Sequence, residues 1–242
     1  MDYCKPGGLK KVFQHLYVFP DTFITLVMGV MKINKALLEE ALRIKVNVLR
    51  IRTNYPMKSI MVTSANHGEG TSTVVTNLAF AFSSGGKSQV LIVDANIRRP
   101  RLHRVFSVER ENGFLDFISG KIDLSQGIKI TSIPNLKVMT AGQQADNNDI
   151  AAFSAISKDM KNLIERDFDW VIYDTAPVNY YPDTLMATAL ADGIVLVIQA
   201  EKTRWPAVSK AIETLQAVGA HIAGGVLNRR KHIVPALIYK RF

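Results

Sequence analysis

The feature that most constrains this chain is Ser64-Ala65-Asn66-His67-Gly68-Glu69-Gly70-Thr71-Ser72-Thr73, a glycine-rich turn set between two apolar stretches. It has the frame of a phosphate-binding P-loop, G-x-x-x-x-G-K-[ST], with Ala65 at the first small position. The preceding run, Ser59-Ile60-Met61-Val62-Thr63, predicts a buried strand, and the run from Ser72 to Phe82 predicts a helix. A strand that turns through glycines into a helix aims unpaired N–H groups at an anion. Gly68, Glu69, Gly70, Thr71, Ser72 and Thr73 are therefore the expected cofactor contacts. One residue breaks the pattern: Thr71 stands where the motif has its lysine. The loop is built for phosphate without its usual charge.

Beyond the loop the chain alternates. Gln89 to Asp94, Leu136 to Thr140, Asp169 to Asp174, Gly193 to Gln199 and Ile222 to Asn228 are apolar runs of strand length. Helical patterns separate several of them: Ile150 to Arg166, Thr184 to Leu190 and Trp205 to Gly219. Continuous apolar strands alternating with helices imply a doubly wound α/β fold, a mostly parallel sheet with helices on both faces. A further helix is expected within 33–52, started by Asn34, with Glu39 and Glu40 early and Arg50 late as the helix dipole favours. Four regions follow: an amino-terminal basic and aromatic arm (1–32), a helical lead-in (33–56), the nucleotide-binding domain (57–230) and a basic tail (231–242).

The formal charge of +9 resides at the ends, since residues 1–58 and 228–242 hold half of the 30 Lys and Arg but only four acidic residues. Basic ends on a near-neutral core fit an anionic membrane surface or acidic protein segments, or simply a solvated periphery; nucleic acid is the least expected partner. Residues 1–32 show no period and read either as a floppy or partner-bound arm or as an interfacial segment, with Phe13, Leu16, Tyr17 and Val18 beside Lys10 and Lys11. The single cysteine, Cys4, excludes an intramolecular disulfide and fits a reducing compartment. The apolar run near Phe19 is broken by Pro20 and Asp21, so neither a secretory signal nor a membrane span is expected.

In an open parallel sheet the ligand sits beyond the carboxyl ends of the strands. Two strands there end in carboxylates, Asp94 and Asp174. Aspartate at a strand end is often only a turn residue. Two of them converging on a phosphate loop form the arrangement that holds Mg²⁺ beside ATP, with the Ser72 hydroxyl as a further ligand. A second glycine-rich string, Ala81 to Ser88, also matches a relaxed P-loop and keeps its lysine, Lys87. It follows a helix and leads into a strand, so it reads as a connection. His67 reads as an exposed loop residue, and Trp170 and Trp205 as packing residues.

These strings together resemble the cytoplasmic domain of bacterial tyrosine kinases, the capsular and exopolysaccharide autokinases within the MinD/ParA-like P-loop ATPases. The resemblance runs over roughly residues 37–230. Ser64 to Ala79 is similar to the family's Walker A with its Asn77-Leu78-Ala79. Val90 to Pro100, followed by His103, resembles the acidic motif D-x-D-x-R-R-P, and Gly113 to Gly120 its short helix and turn. Phe168 to Val178 is similar to its Walker B, and Gly224 to Asn228 to the segment that presents an asparagine to adenine. The resemblance implies ATP and Mg²⁺ as cofactors, Asp94 and Asp174 as catalytic residues, and Ser72, Asp94 and Asp174 around the metal. It also implies a membrane-bound polysaccharide co-polymerase as partner, a homo-oligomer, and a cytoplasmic place at the inner membrane.

The departures fall on charge. Thr71 replaces the phosphate-binding lysine, Asn66 the second lysine of MinD/ParA ATPases, and Asn96 the second aspartate of the acidic motif. Glu40-Ala41-Leu42-Arg43 begins a Glu-x-x-Arg-x-x-Arg helix whose last position is Val46, and the terminal tyrosine cluster is reduced to Tyr239. An electrostatic donor of the lysine's kind is worth about 3–4 kcal/mol, or about 100- to 1000-fold in rate. Arg98 and Arg99 stand near enough in sequence to compensate, unless carboxylates claim them. Three readings follow: a weakened tyrosine kinase, an inactive nucleotide-binding regulator of assembly, and a MinD/ParA-type positioning ATPase, which Asn66 disfavours.

Overall fold

The computed structural model describes residues 16–20, 26–27, 30–31, 35–86, 88–143 and 149–230. Cys4, His15, Lys87, His232, Tyr239 and most of the expected arm and tail lie outside them. The chain begins with a short strand β1 (Leu16–Pro20) and a two-residue pair, β2 (Leu26–Val27) with β3 (Val30–Met31), then a 20-residue helix α1 (Lys35–Asn54). Strand β4 (Ser59–Ser64) enters the glycine-rich turn and helix α2 (Thr71–Ser83) leaves it. Next come β5 (Val90–Asp94), short helices α3 (Leu102–Val105), α4 (Phe114–Ile118) and α5 (Leu124–Gly127), and strands β6 (Ile128–Ile130) and β7 (Leu136–Met139). The remainder is α6 (Asp149–Ala152), α7 (Lys158–Glu165), β8 (Trp170–Asp174), α8 (Pro182–Ala187), β9 (Gly193–Gln199), α9 (Trp205–Ala217) and β10 (Ile222–Arg230).

Eight strands form one sheet in the order β1-β10-β9-β4-β8-β5-β7-β6, parallel throughout except for the β6–β7 pair. Strands β4, β5 and β8 are buried along their whole length, as their unbroken apolar runs require. Alternate side chains serve opposite faces. Ile60, Val62, Ile92 and Ile172 pack with Ile44 and Val48 of α1 and Val74, Leu78 and Phe82 of α2. On the other face Met61, Leu91, Val171 and Tyr173 pack with Phe114, Phe153, Val208 and Leu215. The order reverses at β4: the chain crosses to β5 on one side and places β9 and β10 on the other. That switch point opens a crevice at the carboxyl end of β4, where the glycine-rich turn lies.

The doubly wound fold expected from the sequence is present, and two local expectations differ. The helix read over Ile150 to Arg166 is broken. Phe153 turns into the core on a single 3₁₀ turn, and Ser157 starts α7 afresh by accepting the Met160 N–H at 3.3 Å. Within the arm, Leu16–Pro20 pairs with Gly225–Arg230 as a parallel strand. Leu16, Tyr17, Val18 and Phe19 are strand formers, but too few to show a period without their partner. The second glycine-rich string is the α2–β5 connection, with Gly85 and Gly86 at positive φ.

Phe82 is 1% exposed and its ring lies 4.3 Å from that of Trp170, joining α2 to β8. Phe82→Ala is expected to cost about 3–5 kcal/mol of unfolding free energy in a denaturant titration, while Val218→Ala on the exposed end of α9 changes it by less than about 0.5 kcal/mol.

Candidate functional site: a phosphate loop over paired carboxylates

The turn is held by its own glutamate. The Glu69 carboxylate, buried under the loop, accepts the Ala65 N–H at 3.0 Å, the Asn66 amide at 3.1 Å and the Thr203 hydroxyl. Burial raises its pKa, and those hydrogen bonds oppose the rise. Its side chain thus braces the loop, leaving only its backbone to face a ligand. Gly68 and Gly70 take left-handed conformations (φ +79° and +93°), and Gly70 opens α2 by accepting the Thr73 and Val74 N–H groups at 3.1 Å. The N–H groups of Thr71 and Ser72 begin the helix, where no intrahelical acceptor exists. A β-carbon on Gly70 would lie 2.2 Å from Asn228 Nδ2, so only glycine fits.

Beneath the loop lie the two carboxylates. Asp94 and Asp174 are register partners at the ends of neighbouring parallel strands, and both are fully buried. Asp94 Oδ2 accepts the N–H groups of Arg101 and Leu102, each at 2.9 Å, so this oxygen also caps α3. Asp94 Oδ1 and both oxygens of Asp174 have no hydrogen-bond partner. Loss of water raises the Asp94 pKa to about 7 despite three backbone N–H groups that favour its charge. Desolvation, then the charge of Asp94, drives Asp174 well above the carboxylate range; Ser72 lies close enough to lower it somewhat without a hydrogen bond of good geometry. Three orphaned oxygens beside a serine hydroxyl suit a hard divalent cation. Among the described residues no cluster of three or more His, Cys, Asp or Glu is placed to hold a metal. A cation here would complete its shell with phosphate oxygens and water, as Mg²⁺ does.

The walls are basic. Ser64, His67, Gly68, Gly70, Thr71, Ser72, Thr73, Asn96 and Thr175 line a cleft of about 160 Å³ together with Arg99, Arg101 and Arg229. Beyond Ser72 it meets a wider cleft of about 610 Å³ that adds His103, Arg104 and Arg110. Asn96 Oδ1 accepts the Arg99 N–H at 3.1 Å and shapes this wall. Of the two arginines read from the sequence, Arg98 pairs with the buried Asp183 at 3.4 Å and lies over the Tyr181 ring, while Arg99 faces the cleft. His67 is half-buried between Tyr180 and Tyr181, with ring centroids at 4.9 and 5.5 Å, and burial lowers its pKa. Asn228 is locked onto the loop: its Nδ2 donates to Glu69 O at 2.7 Å and its Oδ1 accepts the Arg229 N–H at 2.9 Å.

Known proteins are similar to this chain. A family model of the ParA group, described as the NUBPL iron-transfer P-loop NTPase, matches residues 56–238. The tyrosine-protein kinase YwqD of Bacillus subtilis is 33% identical over 193 residues, spanning 80% of this chain and 81% of that protein. The chain belongs to the bacterial tyrosine-kinase family of P-loop NTPases. The putative tyrosine-protein kinase CapB of Staphylococcus aureus is 30% identical over 81% of this chain and 86% of its own length. The chimeric protein CapA2B2 superposes with a TM-score of 0.80 at 26% identity, covering 93% of this chain and 97% of its own. The iron-transfer part of the family model's description has no counterpart in the cysteine content, because iron–sulfur clusters are held by several thiolates and the sequence has one cysteine.

Within this kinase fold the structure brings Gly68 to Thr73, Asp94, Asp174 and Asn228 to one crevice. Sequence reading passed over Thr203, Arg101 and Arg229. Thr203 had no signal, since its partner Glu69 is 134 positions away. Arg229 directly follows Asn228, but counted only among the cations of residues 228–242.

Two outcomes check this geometry. Gly70→Ala should cost at least about 2 kcal/mol, from a backbone held at positive φ and a side-chain clash, whereas Gly68→Ala, with open space around it, should cost about 1 kcal/mol. The Asp174 pKa is raised on folding, so its contribution to stability falls as pH climbs from about 4 through the raised value. Asp174→Asn is therefore expected to unfold at a higher temperature than the native chain at pH 8, by about 2–6 °C, with a smaller gap at pH 5.

Proposed function

We propose that this chain is an ATP-dependent protein-tyrosine kinase of exopolysaccharide or capsule production, with phosphoryl transfer slowed by the absence of its loop lysine. The observation that carries the reading is the pair of buried carboxylates, Asp94 and Asp174, with three oxygens left without a hydrogen bond, directly below a glycine-rich helix start. Family membership supports it, because the relatives are named as tyrosine-protein kinases. Ser72, Asp94 and Asp174 would hold Mg²⁺, which would supply positive charge to offset that of the phosphates. The loop N–H groups and the first turn of α2 orient the triphosphate. Asp94 Oδ1 accepts the proton of a tyrosine hydroxyl as the γ-phosphoryl group passes to its oxygen and ADP is released.

Among the described residues no helix is long and apolar enough to cross a membrane. The proposed place is the cytoplasmic side of the inner membrane, beside a membrane-bound co-polymerase that regulates chain length. The outward face of α1 supports a homo-oligomer, because Leu42, Val46 and Leu49 recur there at helical spacing and remain exposed. Thr71 and Asn96 favour a second reading, a nucleotide-binding module whose bound state controls assembly.

Incubation of the purified protein with γ-labelled ATP and Mg²⁺ separates the two. The kinase reading expects label on tyrosine that disappears in Asp174→Ala, falls in Tyr239→Phe, and rises about 100- to 1000-fold in Thr71→Lys. Nucleotide binding with no tyrosine label in either the native chain or Thr71→Lys would leave the module.

A further inference from the structure

We propose that Arg229 supplies the phosphate-binding charge that position 71 lacks, gripping the β- and γ-phosphates from the opposite side of the loop. The proposal rests on the nucleotide reading above. Strand β10 carries one residue more than β1 across their last pairs: Val18 opposes Leu227, while Pro20 opposes Arg230. The extra residue makes a β-bulge, the device that re-aims a side chain beside a functional site. At the bulge Arg229 adopts φ +56°, a left-handed conformation that non-glycine residues rarely take without a compensating reason.

The compensation is visible around it. Asn228 Oδ1 holds the Arg229 N–H at 2.9 Å, and Arg229 Nη1 donates to Gly68 O at 2.9 Å. Its Nε lies 4.0 Å from where a Gly70 β-carbon would stand. The guanidinium is thereby fixed against the loop backbone and lines the same cleft as Gly68, Gly70, Thr71 and Ser72. No carboxylate among the described residues pairs with it, and one bond to a carbonyl leaves most of its five N–H donors for a ligand. Arg99 and Arg101 reach the cleft too, but both are exposed and their side chains make no hydrogen bond within the described residues. Arg229 is half-buried and already oriented. A planar fork held in place matches phosphate oxygens better than a free chain end.

The threonine at 71 fits this picture. Its side chain lines the cleft and brings it no charge. A lysine there would also put a second cation near the guanidinium.

The test is affinity for adenosine, AMP, ADP and ATP with Mg²⁺, by calorimetry, for the native chain, Arg229→Ala, Arg229→Lys and Arg229→Ala with Thr71→Lys. Expected is an about ten- to hundredfold loss of ADP and ATP affinity in Arg229→Ala, as for loss of a hydrogen bond to a charged group. Affinity for adenosine should stay within about twofold, because it presents no phosphate. The added Thr71→Lys should restore most of the loss, which a merely structural role of Arg229 would not permit, and Arg229→Lys should fall between. ADP affinity within about twofold of native in Arg229→Ala, with the native chain binding ADP, overturns the inference and leaves the nucleotide reading standing. A native chain that binds no nucleotide overturns that reading and the inference with it. Equal unfolding temperatures without nucleotide show that the variants are folded.

Discussion

Two aspartates placed side by side at the ends of neighbouring strands, fully buried and paired with no positive side chain among the described residues, set the terms for everything around them. Buried charge in a low-dielectric interior is tolerated only when it is neutralised by protons or by an incoming cation. The first solution is visible in the upward shift of both pKa values. The surroundings are compatible with the second. The sheet holds the two oxygen sets in register, Ser72 adds a hydroxyl above them, and the loop offers N–H groups rather than further acceptors. Arginines line the walls, but none forms an ion pair with either carboxylate among the described residues.

Much of this was legible in the sequence, because it depends on local order. Strand, glycine-rich turn and helix follow one another within 25 residues, and Asp94 and Asp174 each close an unbroken apolar run. Such runs are long enough to reveal buried parallel strands, and in that topology their carboxyl ends must meet. The roles of Gly68 and Gly70 also follow from chain chemistry alone, since the turn needs left-handed residues there.

What escaped depends on pairing between distant segments. Nothing near Glu69 says that its carboxylate will turn inward to Thr203 and brace the loop. The broken helix after Ile150 reflects the pull of Phe153 into the core, a tertiary effect that outweighs helical periodicity. The arginines divided for a similar reason: Arg98 met Asp183, which lies 85 positions later, while Arg99 did not. Arg229 looked like one more cation near the basic carboxyl end until the bulge in β10 showed where it points.

Strand β1 bears on the site although it lies far from it in the chain. By pairing with Gly225–Arg230 it makes β10 an interior strand, held by β9 on one side and β1 on the other. Sheets open from their margins, where local unfolding costs least. The margin here is a five-residue strand ending in Pro20, a short edge of the kind that discourages pairing with other chains. That rim stands one strand away from Asn228, so the backbone of the residues that clasp the loop is hydrogen-bonded on both sides within the sheet.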